Sequence, residues 1–294
     1  MHRRPATPDA EKKERELPNH FNDAIIDEFR ANNGRVGGMF TDSRLLLLTT
    51  TGARTGRPHT TPLGYLPDTG DRLLVVASAG GSPRHPAWYH NIRANPIVTV
   101  EDGAFTYQAE ATVLTGAERD RIFARIVEVA PGYADYQAKA TRVIPVVGLT
   151  QVAPGPPNAS SFGEGLRVVH DAFRLELAAI RREVAESGPG LGAQLRINCL
   201  SLCQGLGYHH RMEDDGIFPT LAGQPGTAAV LDRLRVEHKR IAALLAQLQQ
   251  LLADPAADAA RLRAEVDRLT GEVEEHLTYE EEHLIPLMEG PGQG

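Results

Sequence analysis

The stretch HHRMEDDGIFP at residues 209–219 decides the fold of the C-terminal half of this chain, and HLTYEEEHLIP at residues 276–286 repeats its pattern. Each stretch has a histidine, a glutamate four residues later, and five residues after that an apolar residue followed by proline. On a helix, residues four apart lie one turn above each other, so the imidazole and the carboxylate converge on one point.

A single copy of this pattern favours a solvated ion pair on a helix face. Two copies with matching ends favour a metal centre instead, because an imidazole nitrogen and a carboxylate oxygen together suit iron, manganese or zinc. Two such pairs that face each other can hold two metal ions.

Residues 163–288 are predicted to form an up-down four-helix bundle. The predicted helices cover residues 163–187, 192–221, 226–253 and 256–288, with breaks rich in glycine and proline between them. Each helix has a stripe of apolar side chains at spacings of three and four residues, which is the pattern of a helix with one buried face.

Six side chains that are typical metal ligands interrupt these apolar stripes. A lone core histidine is usually hydrogen-bonded, but burying six such groups without partners would cost several kcal/mol each. We therefore interpret them as ligands of a metal pair. The predicted ligands are His170, His209, Glu213, His238, His276 and Glu280. His210 and Glu281 lie about 100° round their helices from His209 and Glu280, and they are second choices.

This half resembles the hemerythrin-like (HHE cation-binding) family, through His170-Asp171, the two stretches quoted above and EHKRI at residues 237–241. The resemblance implies a non-haem di-iron site in which Glu213 and Glu280 bridge the ions and the four histidines cap them. The sequence leaves open whether iron or manganese is bound. In oxygen-carrying hemerythrin the third helix has a second histidine, and its place here is Ala242. One fewer ligand leaves an open position, which favours reactivity over oxygen carriage.

Residues 19–152 are predicted to form a small β-barrel, because short strands dominate and few helices lie between them. After a helix at 19–32, strands are predicted at residues 43–51, 60–66, 73–78, 97–100, 105–114 and 146–152, with helices near 86–94 and 117–130. The segment APGPPN at residues 153–158 cannot continue a helix or a central strand. We place a linker at residues 153–162.

Two loops in this half combine glycines with basic residues. GARTGRPH at residues 52–59 lies between two predicted strands, and ASAGGSPRHP at residues 77–86 lies before a predicted helix N-terminus, which can bind an anion. Backbone N–H groups and guanidinium forks suit a phosphate or a carboxylate. A solvated hairpin explains the first loop equally well.

Three stretches resemble the deazaflavin-dependent nitroreductase family, split-β-barrel oxidoreductases that use coenzyme F-420. They are LLLLTTTGARTGRPHTTPLGYL, VVASAGGSPRHPAWYHNIRANP and YADYQAKATRVIPVVGLT, which begin at Leu45, Val75 and Tyr133. The resemblance covers about residues 20–152. It implies a flavin-reductase-like split barrel that binds this deazaflavin, with FMN as the alternative cofactor, and it suggests a homodimer through the barrel.

The resemblance also implies which residues hold the coenzyme. Those expected at its phosphate, its polyglutamate tail and one face of its ring are Arg54, Arg57, Thr60, Pro62 and Leu63. Those expected at the second loop are Ala77, Ser78, Gly80, Gly81 and Arg84, with Trp88 and Asn91 behind it. Tyr65, Tyr133 and Tyr136 are expected near the reacting ring, as proton donors or as packing residues. The family's turn usually has two adjacent basic residues, and Ala53 replaces one here, which weakens the expected binding of the tail.

Composition excludes several other classes of protein. The net charge of −7 divides into +1 for residues 1–160 and −8 for residues 161–294, without a basic stripe, so no nucleic-acid partner is expected. No apolar run approaches the about 20 residues of a membrane-spanning helix. The charged residues 1–18 lack a secretory signal and, like residues 289–294, are predicted to be a disordered tail. Cys199 and Cys203 are predicted to be reduced core residues of a cytoplasmic protein.

Together the two halves predict an α+β protein of two domains. We expect a deazaflavin-dependent oxidoreductase that passes electrons from the reduced coenzyme to a di-iron site, which reduces dioxygen or peroxide. This pairing suits the chemistry, since deazaflavins react slowly with oxygen and diferrous iron reacts readily. Two alternatives stay open. The barrel alone could reduce quinones or nitro compounds beside a regulatory bundle, or the bundle could sense or carry oxygen or nitric oxide.

Overall fold

The computed structural model describes residues 21–289 except 42, 71, 154, 188–190 and 255. This part contains a closed six-stranded barrel followed by a helical bundle, so the predicted fold class is confirmed. The predicted tails at 1–18 and 289–294, apart from Glu289, lie outside the described residues, as does the predicted helix break at 188–190.

Every predicted strand is present, with ends that differ from the prediction by two residues or fewer. The strands are β1 (Leu45–Thr51), β2 (Pro58–Pro67), β3 (Arg72–Val76), β4 (Ile97–Glu101), β5 (Thr106–Val113) and β6 (Val146–Ala153). They are antiparallel in the order β1-β2-β3-β6-β5-β4, and the barrel closes where β4 pairs with β1. The apolar run 45–48 is fully buried in β1, which is why it forms a central strand.

The two ends of the barrel have different neighbours. The turn at residues 52–57 and the loop that follows β3 lie at one end, because β2 and β3 are antiparallel and Tyr65 pairs with Val75. The start of β1, the β2–β3 turn and the β4–β5 hairpin lie at the other end. We call these the loop end and the bundle end, since the second is the end that the bundle contacts.

Four helices surround the barrel: α1 at residues 21–31, α2 (Ala87–Ala94), α3 (Gly116–Val129) and α4 (Gly132–Lys139). Trp88 and Ile92 of α2 pack in the core cluster that contains Leu46, whereas Ile122 of α3 packs in the cluster that contains Leu74. The sequence pattern predicts α1, α2 and α3. It does not predict α4, which has eight residues and buries none of them completely.

The bundle consists of α5 (Phe162–Glu186), α6 (Ala193–Met212), the short α7 (Phe218–Leu221), α8 (Ala228–Ala253) and α9 (Ala259–Glu289). Its core contains Cys199 and Cys203 as buried free thiols, as predicted. Ser161 caps α5 by accepting a hydrogen bond from the Glu164 N–H, and its hydroxyl donates to Glu289 at the end of α9. The first turn of α5 is therefore tied to the last turn of α9.

A π-helical turn at Glu213–Ile217 separates α6 from α7, so the predicted single helix over residues 192–221 is wrong at this point. The Phe218 N–H donates to the Glu213 carbonyl, five residues back. An apolar stripe does not show where one residue is inserted into a helix turn, which explains the error. Such turns occur often at functional sites, and this one begins at a predicted metal ligand.

Polar contacts join the two domains. Arg44, which directly precedes β1, donates hydrogen bonds of 2.7 and 2.9 Å to Glu176 and one of 2.5 Å to Glu183, both on α5. Gln194 of α6 donates to the Pro67 carbonyl at 2.8 Å. In the linker, the Asn158 N–H donates to the Ala104 carbonyl of the β4–β5 hairpin at 2.8 Å. The bundle is thereby held against the bundle end of the barrel. None of the described helices combines the length and the hydropathy needed to cross a membrane.

Candidate metal centre and coenzyme site

The six predicted ligands converge inside the bundle. Five of them are at most 3% exposed, and the His209 side chain is 10% exposed. Their ligand atoms form two overlapping sets in which all atoms lie within 4.8 Å of one another. The sets are His170, His209, Glu213 and Glu280, and Glu213, His238, His276 and Glu280. Both glutamates belong to both sets.

The carboxylates lie between the histidines of the two sets. Glu213 Oε1 is 3.2 Å from His209 Nε2, and Glu213 Oε2 is 3.5 Å from His238 Nε2. Glu280 Oε2 is 3.4 Å from His170 Nε2 and 3.5 Å from His276 Nε2. This arrangement is the one expected of carboxylates that bridge two metal ions.

The converging atoms have no hydrogen-bond partner. Among the described residues, the buried atoms without one include Nε2 of five histidines (170, 209, 210, 238 and 276) and all four carboxylate oxygens of Glu213 and Glu280. Native proteins leave few buried polar groups unpaired, and each costs about 1–3 kcal/mol. Nine such atoms directed at one space fit a pair of metal ions, which would accept all of them as ligands.

Carboxylates lie beside the outer nitrogens of three predicted ligands, and those beside His170 and His276 form a hydrogen bond there. The pairs are His170 Nδ1 with Glu281 at 2.9 Å, His276 Nδ1 with Glu237 at 3.0 Å, and His238 Nδ1 with Asp214 at 3.1 Å. A carboxylate at the outer nitrogen fixes the orientation of a ligating imidazole and raises its basicity. Glu281, the second choice for Glu280, therefore supports a ligand from outside.

His210, the other second choice, belongs to the cluster itself. Its ring stacks on that of His238 with centroids 4.3 Å apart and meets that of His276 edge-on at 5.0 Å. The three histidines form a further set of ligand atoms within 4.8 Å. His210 thus lies in the cluster beside His209, which adds a seventh candidate ligand to the six that the sequence predicts.

We expect His210→Ala to weaken the binding of one metal ion by about tenfold or more, because that position would lose an imidazole while the other keeps its ligand set. Equilibrium dialysis against cobalt(II), with metal analysis per chain, measures this. His283→Ala, which removes an exposed histidine of α9, is the control. If His210→Ala binds both cobalt(II) ions with the same affinities as the parent chain, His210 is a packing residue.

Burial sets the protonation of the cluster. It lowers the pKa of His209 to about 3 and also lowers the pKa of His238. Burial and the nearby charge of Glu280 raise the pKa of Glu213 well above its ordinary value. For His170, burial alone would lower the pKa, but the nearby negative charge of Glu280 and the hydrogen bond to Glu281 outweigh it. Most imidazoles are therefore neutral, which is the form that binds metal.

The predicted coenzyme residues lie mainly toward the loop end of the barrel. Arg54 and Arg57 are exposed in the turn at 52–57. Asn91 of α2 supports that turn, because its Oδ1 accepts from the Ala53 N–H and its Nδ2 donates to Thr50 Oγ1, both at 3.0 Å. The remaining predicted residues of β2 are half-buried: Thr60, Pro62 and Leu63.

The second loop is held in a fixed shape. Gly80 and Gly81 have φ of 61° and 83°, a region that glycine adopts readily, and a Cβ on Gly81 would lie 3.0 Å from the Tyr136 carbonyl. Arg142 donates to the carbonyls of Ala77, Ser78, Ser82 and Arg84 at 3.1–3.2 Å. Sequence reasoning missed Arg142 as a site residue, because its four acceptors are backbone carbonyls that leave no sequence signal.

The three predicted tyrosines do not all share one cluster. The rings of Tyr133 and Tyr136 meet edge-on with centroids 6.0 Å apart, and burial raises the pKa of Tyr133. Tyr65 packs with Trp88 in another core cluster. A role beside a reacting ring therefore stays a prediction for each tyrosine.

Positive charge at the loop end is uncompensated. No carboxylate pairs, within the part of the chain that the structure describes, with Arg54, Arg57, Arg84, Arg93 or Arg142. By contrast, Arg44 and Arg72 each contact two carboxylates. Arginines without acidic partners fit an anionic ligand such as a phosphate or a polyglutamate.

Comparison with known proteins assigns both halves. Residues 24–151 match the family model of the F420H(2)-dependent quinone reductases, and residues 162–288 match that of the hemerythrin HHE cation binding domain. F420H(2)-dependent quinone reductases of Mycobacterium tuberculosis are 42% identical over 137 residues, which are 45% of this chain and 88% of the relative. The chain belongs to the F420H(2)-dependent quinone reductase family. Its C-terminal region is a hemerythrin HHE domain, so the predicted fusion is confirmed.

Two solved structures are similar to part of this chain. One, described as an F420-H2 dependent reductase, is 42% identical and covers 36% of this chain and 93% of its own, with a TM-score of 0.33. Another, described as a domain-swapped dimer, is 36% identical and covers 48% of this chain and 98% of its own, with a TM-score of 0.35.

Proposed function

We propose that this quinone reductase family member oxidises reduced coenzyme F-420 in its barrel and passes the electrons to two non-haem iron ions in its bundle, where dioxygen or peroxide is reduced. The observation that carries the proposal is the set of nine buried, unpartnered ligand atoms that converge in the bundle. Bound iron would supply one-electron redox chemistry there. His170, His209, His210, Glu213, His238, His276 and Glu280 would hold it.

The electrons balance in this scheme. Oxidation of one reduced coenzyme releases a hydride and a second proton, which together are two electrons and two protons. Two electrons and two protons convert dioxygen to hydrogen peroxide, and two more of each convert peroxide to two waters. A pair of iron ions held by the bundle residues would supply one-electron chemistry at two positions, which matches the two electrons of one hydride.

The position of Tyr65 supports a connection between the halves. A ten-residue strand such as β2 spans about 33 Å, from Pro58 beside the turn of Arg54 and Arg57 to Pro67 at the bundle end. Tyr65 lies near the bundle end of this strand. Burial raises the pKa of its phenol, and the charge of Glu176 on α5 raises this pKa further. An elongated coenzyme with its tail at the turn would extend along β2 in that direction.

The decisive experiment compares iron-loaded and metal-free full-length chain on chemically reduced coenzyme F-420. We expect no more than one turnover without oxygen, then rapid reoxidation with oxygen uptake when oxygen is admitted. Both signals should fall to background in the metal-free chain and in His276→Ala. Oxygen-dependent turnover that persists in His276→Ala would exclude the bundle as the site of oxygen reduction.

A second candidate is a quinone reductase confined to the barrel, with the bundle as a regulatory module that senses oxygen or nitric oxide. The relatives favour this candidate. The match to the relative covers 45% of this chain but 88% of the relative, so those proteins correspond to the barrel without a bundle. Turnover that requires an added soluble quinone and is the same with and without iron would establish it. A homodimer through the barrel stays a proposal that light scattering in solution tests.

A further inference from the structure

We propose that the metal centre opens toward the barrel, through a mouth between Phe173 of α5 and Gly205 of α6, with His209 as the ligand at its inner edge. The inference rests on the metal centre of the proposed function. It adds the route by which a small ligand reaches the metal ions and the residues that set the width of that route.

Exposure identifies His209 as the edge of the cluster. Its side chain is 10% exposed, whereas the other clustered residues are at most 5% exposed. The outer nitrogens of His170, His238 and His276 face carboxylates, which cover those sides of the cluster. The described residues provide no such carboxylate partner for His209 Nδ1. The least covered side of the centre is therefore the one at His209.

Phe173 and Gly205 border this side. The Phe173 ring lies 5.3 Å from the His209 ring, between centroids. A Cβ added to Gly205 would lie 3.3 Å from Phe173 Cε1, which is tighter than an ordinary van der Waals contact. Glycine at this position lets the aromatic ring approach α6 closely. The ring, which is itself partly exposed, thus separates His209 from solvent.

Helix geometry shows that the mouth faces the barrel. Glu176 and Glu183 of α5 contact Arg44 of the barrel, and Phe173 lies one turn before Glu176 on a neighbouring part of the same face. On α6, Asn198 Nδ2 donates a hydrogen bond to Glu183 Oε2 at 2.7 Å. Gly205 lies two turns further along the same face of this helix. The contact between Phe173 and Gly205 therefore lies on a continuation of the surface on which the barrel lies.

The mouth selects by size and polarity. An aromatic ring against a glycine forms a narrow apolar entrance, which suits dioxygen, peroxide or azide better than a bulky charged molecule. A large chelator must wait for the ring to move. The rate at which a chelator removes the metal from the loaded chain therefore reports on the mouth without any redox turnover.

The test measures cobalt(II) release from the loaded full-length chain into excess EDTA, followed by the loss of the cobalt absorption bands. We expect Phe173→Ala to release cobalt about tenfold faster than the parent chain, which corresponds to a barrier about 1.4 kcal/mol lower. Gly205→Ala should change the rate as well, because its Cβ presses on the ring. Phe162→Ala is the matched control, since Phe162 is a partly buried phenylalanine of the same helix that packs around Phe218 instead.

Each outcome decides the proposal. Faster release in Phe173→Ala with an unchanged rate in Phe162→Ala supports the mouth. Equal rates in the parent chain and Phe173→Ala, or equal acceleration in both variants, overturn it. Should Phe173→Ala unfold, Phe173→Leu keeps the core filled and is expected to accelerate release in the same direction. A parent chain that binds no cobalt would contradict the metal centre itself, which separates that failure from failure of the mouth.

Discussion

We expect Glu213→Leu to stabilise the metal-free chain against unfolding and to make the metal-loaded chain less stable than the metal-loaded parent chain. Without metal, both carboxylate oxygens of Glu213 are buried and unpartnered, so an apolar side chain there should raise the free energy of unfolding by about 1–3 kcal/mol. With metal, the variant lacks a carboxylate shared by both ligand sets. It should lose the stabilisation that binding provides, which is about 4 kcal/mol when free metal is about a thousand times its Kd.

Urea unfolding followed by circular dichroism, with and without saturating metal, measures both quantities. Glu275→Leu is the control, because Glu275 is an exposed glutamate of the bundle and should change stability by no more than about 0.5 kcal/mol in either state. A Glu213→Leu variant that is destabilised without metal, or that still gains the full stabilisation with metal, would contradict a metal-ligand role for this carboxylate.

Replacing Arg44 with methionine should uncouple the two domains. The Arg44 side chain is 18% exposed, and its guanidinium contacts two carboxylates of α5. Its loss leaves Glu176 and Glu183 facing an apolar side chain at the interface. Breaking a fully buried ion pair costs about 3–5 kcal/mol. Since these carboxylates are partly exposed, we expect a smaller loss here. The free energy that couples unfolding of the barrel to unfolding of the bundle should fall by about 2 kcal/mol, so that the two domains unfold separately.

The chain contains its own probe for this experiment. Its single tryptophan, Trp88, is buried in the barrel core, so fluorescence follows the barrel, while far-ultraviolet circular dichroism follows mainly the helical bundle. We expect coincident denaturation midpoints in the parent chain and separated midpoints in Arg44→Met. Arg181→Met, which removes an exposed contact to Asp267 within the bundle, should leave the midpoints together. Coincident midpoints in Arg44→Met would show that other contacts couple the domains.

The sequence predicts most of the residues in this cluster of histidines and glutamates because burial inside a bundle leaves a periodic signal. A polar residue in an apolar stripe stands out, and this finds the six predicted ligands that the structure brings together. His210 is only a second choice in the sequence prediction because it lies off the stripe of its helix. The π-helical turn that begins at Glu213 escaped the prediction for a related reason, since one inserted residue barely alters the spacing of the apolar positions.

The strands of the barrel were predictable for the same reason, whereas the contacts between elements were not. The apolar run at Leu45–Thr51 predicts a buried strand. No local pattern shows that Arg44 beside it pairs with Glu176 and Glu183, which are 132 and 139 positions away in the sequence. Arg142 braces the second loop through backbone carbonyls, which every residue has. Such contacts depend on the tertiary arrangement and have no pattern along the sequence.

The π-helical turn also affects how this domain is compared with others. Downstream of Glu213, each residue is shifted by one position relative to an uninterrupted helix. An alignment to a homologue with a regular helix here therefore needs a one-residue gap, and without it Phe218 would be matched to a solvent-facing position. Designs that graft this metal site onto an ideal bundle must carry the extra residue with it, or the ring stacked on His238 will point elsewhere.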